Sequence, residues 1–154
     1  MNAVVITPGS SAIGVAALLL ASTQLWMMLR AARIPGNAPD RLVAELRLAQ
    51  FSALLLAAVA ASSIGFVATQ NDATGALDVA IALTFIALSA IVTQREPREA
   101  LGALAVAFVA HALADVLHLP GWLSADLIPK PYLLGCAVFN GCSAVICYWP
   151  LFRR

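Results

Sequence analysis

The sequence is poor in charge. Asp, Glu, Lys and Arg make up only 11% of its 154 residues and the net charge is +1, whereas soluble domains carry ~25% charged residues. A nucleic-acid-binding chain needs a basic face or stripe, so no nucleic acid is expected as a partner. Cysteine is equally sparse. Cys136, Cys142 and Cys147 are odd in number and share one apolar run, so they read as buried small apolar residues and not as a disulfide framework. There is no phosphate-cradling glycine loop, no His-Glu-x-x-His and no Cys-x-x-Cys, and the serines of the apolar stretches have no histidine near them in sequence. No catalytic residue is assigned.

What the chain has in quantity is apolar surface, at 62% of residues. A water-soluble core of this size cannot absorb that much. At 1.5 Å per residue, ~20 helical residues cross a ~30 Å hydrocarbon core. Five stretches have this length and character: about 11–29, 48–69, 76–94, 100–119 and 132–152. The fold class expected is therefore an all-α integral membrane protein, a single domain over residues 1–154 built as a bundle of five transmembrane helices. The first stretch has no charge before it and Arg30 and Arg33 after it, the reverse of a signal peptide, so it is expected to remain as a span.

The connections carry the punctuation. Pro35, Gly36 and Asn37 make the first turn, and Pro39 and Pro97 suit the opening positions of helices. Asp40, Arg41, Glu45 and Arg47 read as a polar collar before the second span, with Arg41 and Glu45 at i, i+4 as a solvated helix face. Gln70, Asn71, Asp72, Thr74 and Gly75 form the next turn. Pro120, Gly121 and Trp122 precede a short interfacial segment at 123–130, where Trp122 and Tyr132 suit the headgroup level.

Orientation follows from the basic residues. With the N-terminus outside, Arg30, Arg33, Arg41, Arg47, Arg95, Arg98, Arg153 and Arg154 are cytoplasmic and Lys130 alone is external. The positive-inside rule thus places the C-terminus in the cytoplasm, in a plasma or inner membrane of the cell. An odd number of spans disfavours an inverted-repeat transporter. Ala57, Ala58, Ala60, Ala61, Ser62, Ser63, Gly65, Gly135 and Gly141 predict close helix packing. The partners expected are the lipid bilayer and either further copies of the chain or other membrane subunits.

Chemistry is concentrated on the fourth stretch. His111, Asp115 and His118 stand at i, i+4 and i+7, within an arc of roughly 60° on one helix face. A carboxylate near the bilayer centre costs ~2.5–3.5 kcal/mol on insertion scales, which makes Asp115 a functional candidate. On the fifth stretch Cys136, Asn140, Ser143 and Cys147 recur along one face. Antiparallel packing would set Asn140 at the depth of His111 and bring Cys136 towards Asp115. Imidazole, carboxylate and thiolate suit a transition metal ion such as copper, zinc or iron, so the metal ligands expected are His111, Asp115, His118 and Cys136. Asp78, one turn inside the third stretch, and Asn140 are further polar site residues. His111 and His118 are about 10 Å apart along the axis, so one ion would take Asp115 with one histidine or the other. Haem is less expected, because both histidines share one face. Inward of His111, Phe108, Ala107 and Leu104 close that face against a through-membrane conduit.

The function expected is that of a small polytopic membrane subunit. Its outer-leaflet polar site, on the fourth and fifth helices, would bind a transition metal or support redox chemistry in a larger complex. Two alternatives stand beside it: a structural or assembly subunit in which Asp and His simply satisfy each other, and a small transporter.

Overall fold

The computed structural model describes residues 8–69, 75–120, 123 and 128–152, with side chains from Gly14 onward. The turn at Gln70–Thr74, Trp122, residues 124–127 of the segment expected at the interface, and Arg153 and Arg154 lie outside the described residues. Five helices account for nearly all of the rest: α1 (Pro8–Arg33), α2 (Pro39–Ala68), α3 (Ala76–Val92), α4 (Pro97–His118) and α5 (Lys130–Phe152). No strand occurs among the described residues.

The proline signals hold at the helix starts. Ala38 and Glu96 are extended N-cap residues, and Pro39 and Pro97 each sit at the first position, where a missing N–H costs nothing. Because α2 begins at Pro39, the polar collar is part of the helix itself. Arg41 and Glu45 do pair, Nε to Oε1 at 2.9 Å, but both are buried, so this is not the solvated face expected. With Arg98 they line a cavity beside the α1–α2 turn.

Four helices, all but α3, are long and apolar enough to cross a membrane. The 17 residues of α3 reach about 25 Å, just under a hydrocarbon core. The exposure pattern is inverted relative to a soluble bundle. Leu18, Leu54, Val106, Val145 and Phe152 are each at least 62% exposed, while Gln24, Ser52, Asp78, His111, Asp115, Asn140 and Ser143 are no more than 5% exposed. Apolar surface outside and hydrogen-bonding groups inside is the arrangement that hydrocarbon solvent selects.

The most extensive helix pairing is α4 with α5, followed by α2 with α3. α2 touches each of the other four helices, and α5 lies between α4 and α1. The packing is that of two layers, α3–α2–α1 under α4–α5. Phe108, Leu48, Leu56, Leu101 and Leu104 fill the centre, with Ala49, Ala53, Ala60, Ala100 and Ala107 allowing the backbones to approach. The small residues expected to do this were largely others. Of the α2 set only Ala60 is buried, and a Cβ added at Gly65, Gly135 or Gly141 would meet nothing within 4 Å. Small size permits close approach, but which small residues are used depends on the face a neighbour covers. Cys147 is buried as expected, Cys136 is half-buried, and Cys142 is exposed, on the outer side of α5.

The two ends of the bundle are tied by side chains. At one end the Ser62 and Tyr132 hydroxyls bond each other, and Phe66 meets the Tyr132 ring edge-on at 4.6 Å between centroids. At the other, Arg98 Nη2 donates to the Pro150 and Leu151 carbonyls at 3.4 Å. These carbonyls belong to the last turn of α5, where helical partners run out and a cation complements the helix dipole.

Candidate polar site on α3, α4 and α5

The α4–α5 pairing brings together the two polar faces read from the sequence. Asn140 Nδ2 lies 3.0 Å from Asp115 Oδ2 and 3.1 Å from His111 Nδ1, and His111 Nδ1 lies 3.3 Å from Asp115 Oδ2. With its two hydrogens, one amide nitrogen can donate to the carboxylate and to an unprotonated Nδ1 at once, which makes Nε2–H the matching neutral tautomer of His111. The alternative, Nδ1–H donating to Asp115, is the charge-compensated form once the imidazole is protonated. α3 closes the third side, where Phe85 packs on the His111 ring at 4.6 Å between centroids. Below it Leu104, Ala107 and Phe108 are buried, so the polar network rests on an apolar floor.

His118 does not join this cluster. Its Nε2 bonds Asp78 Oδ1 at 2.8 Å and its Nδ1 faces the Ala114 carbonyl of its own helix at 2.6 Å. The cause is topological: antiparallel packing of α3 and α4 sets the first turn of α3, with its buried Asp78, beside the last turn of α4. An acidic group in a first helical turn is also favoured by the dipole, and a histidine in a last turn likewise. Two His–Asp pairs therefore stand where the sequence indicated a single face of three groups.

The polar stripe of α5 divides too, because α5 has a neighbour on each side. Asn140 points to α4, whereas Ser143 donates to Gln24 Oε1 of α1 at 2.9 Å. Gln24 Nε2 in turn bonds Ser52 of α2 at 2.9 Å and lies 3.7 Å from Cys147 Sγ. No hydrogen bond among the described residues joins Cys136 to His111, Asp115 or Asn140. This second junction, centred on a fully buried Gln24, was missed in the sequence. Its one signal was an amide in the middle of an apolar run.

Of the four ligands expected for a metal, His111 and Asp115 stay together, His118 goes to Asp78, and no hydrogen bond among the described residues joins Cys136 to any of them. Among the described residues no three His, Cys, Asp or Glu side chains form a group that could hold an ion. Two atoms of the network keep spare capacity. Asn140 Oδ1 is buried with no hydrogen-bond partner, and among the described residues no group bonds His111 Nε2. No protein-family model matches the chain, and neither a curated protein nor a solved structure shows significant similarity to it.

Proposed function

We propose that this chain is a small integral membrane subunit with a structural or assembly role, crossing the bilayer five times with its N-terminus outside. The observation that carries this reading is the mutual hydrogen bonding of His111, Asp115 and Asn140 across the α4–α5 boundary. Each buried polar group finds its partner on a facing helix, which is how polar side chains hold helices together where lipid gives no hydrophobic drive. The His118–Asp78 and Gln24–Ser52–Ser143 junctions do the same at three further helix boundaries. The exposed apolar faces are available to lipid and to other subunits.

A second reading keeps the transition metal or redox role, and it is favoured by the two uncommitted atoms, His111 Nε2 and Asn140 Oδ1. Here His111 and Asp115 would supply part of a ligand set completed by another chain. Metal analysis of the purified protein separates the two. The structural reading expects no stoichiometric copper, zinc or iron in the wild type. A stoichiometric metal that disappears in Asp115→Asn while the helical content stays unchanged would overturn it in favour of the second.

A further inference from the structure

We infer that the groove between the end of α1 and the start of α2 binds the headgroup of an anionic phospholipid. The inference rests on the membrane reading above, with this end of the bundle at the cytoplasmic face. The groove is a cavity of about 360 Å³ whose lining divides by chemistry. Arg30 and Arg47 supply cationic groups, Asp40 a single carboxylate, and Met27, Ile34, Val43 and Ala44 an apolar wall. Trp26 completes it, with the Arg30 guanidinium over its ring at 5.6 Å from the centroid. The stacking orders the Arg30 side chain and sets an amphipathic ring at the level where headgroup meets acyl chain.

Among the described residues, no ion pair or hydrogen bond engages the arginines of this groove. Elsewhere Arg41 pairs with Glu45 and Arg98 bonds the end of α5. Among the described residues Arg30 has only its contact with the Trp26 ring, and Arg47 makes no hydrogen bond or ion pair. A phosphodiester placed between the two arginines meets a net positive site, and its acyl chains can continue along the exposed Leu25 and Leu29. A basic pocket between helices on the cytoplasmic side is the form that binding of anionic headgroups takes. Arginine is suited to the role by its planar fork of donors. Asp40 disfavours a second negative charge close by, so a singly charged phosphodiester such as phosphatidylglycerol fits better than a phosphomonoester.

The test uses the full chain purified in a neutral detergent, incubated with equal amounts of phosphatidylglycerol and phosphatidylcholine, with retained lipid counted by native mass spectrometry. The wild type should retain phosphatidylglycerol preferentially. Replacing both arginines, Arg30→Gln with Arg47→Gln, should lower that preference roughly tenfold. Arg33→Gln, which removes a cation beside the groove but outside its lining, should leave it nearly unchanged. Inorganic phosphate at matched concentration should not displace the lipid, since it lacks the acyl chains. An equal loss in Arg33→Gln would overturn the site in favour of a diffuse basic rim, and displacement by inorganic phosphate would overturn the lipid as its ligand. Absence of any lipid-class preference in a chain that stays in membranes through an alkaline carbonate wash would overturn this inference alone. Release of the chain by that wash would overturn the membrane reading and the inference with it.

Discussion

Asn140 is the side chain through which α5 holds the α4 pair, and its replacement is the sharpest probe of that junction. Asn140→Ala removes the donor shared by Asp115 Oδ2 and His111 Nδ1 and leaves both in a site they cannot hydrate. The loss expected is about 1–3 kcal/mol, the cost of stranding a buried polar group. Asp115→Asn keeps the shape and an acceptor oxygen while removing a buried charge, so it should be close to neutral and can even stabilise. Thermal unfolding in detergent micelles checks the contrast, and equal destabilisation by the two would mean that the Asp115 charge itself holds the network. The second junction allows a similar comparison. Gln24→Leu breaks the bonds to Ser52 and Ser143 and should cost about 1–2 kcal/mol, in the range of interhelical bonds in lipid. Thr23→Val removes a hydroxyl bonded only to the Leu19 carbonyl of its own helix and should leave the melting temperature unchanged.

At the scale of the helix, glycine separates packing within the chain from packing against others. Gly65, Gly135 and Gly141 face open space, so alanine at each meets no clash and recovers the backbone entropy lost at a helical glycine, about 0.5–1 kcal/mol. The single chain should therefore unfold at a higher temperature in each Gly→Ala variant. If the same variants weaken association measured by crosslinking in membranes, those faces are where another subunit packs closely. The same residues show why the sequence was readable only in part. Pro39 and Pro97 marked helix starts correctly because the missing N–H acts locally. The Asn140–His111 contact could be anticipated from two facing periodic stripes on antiparallel neighbours. Periodicity locates a face and is silent about which helix covers it. His118 therefore went to Asp78 of α3, Ser143 to Gln24 of α1, and the Arg41–Glu45 pair became buried, all decided by packing between elements distant in sequence.

For the molecule as a whole, the strongest constraint is that three side-chain ties fix which helix ends lie together. Asp78–His118 joins the start of α3 to the end of α4, and Ser62–Tyr132 joins the second half of α2 to the start of α5. Arg98 joins the start of α4 to the end of α5. Successive helices therefore alternate in direction from α2 onward, and the five-span topology proposed above has α3 cross the membrane as well. α3 is short and α2, at 30 residues, is about 45 Å long, well beyond the hydrocarbon core. In the topology proposed above, the difference would be met by α2 extending its Arg41 and Arg47 end into the cytoplasmic interface, with α3 spanning at little tilt. Single cysteines at Asn37, Thr74, Glu96 and Ala125 in a cysteine-free background, probed with a membrane-impermeant maleimide on intact cells, test this arrangement. Thr74 and Ala125 should label from outside, and Asn37 and Glu96 only after the membrane is opened, as the basic residues near Asn37 and Glu96 require. Labelling of Thr74 and Glu96 from the same side would mean that α3 does not cross. It would then lie against α2 and α4 without spanning, and the five-span topology would fall.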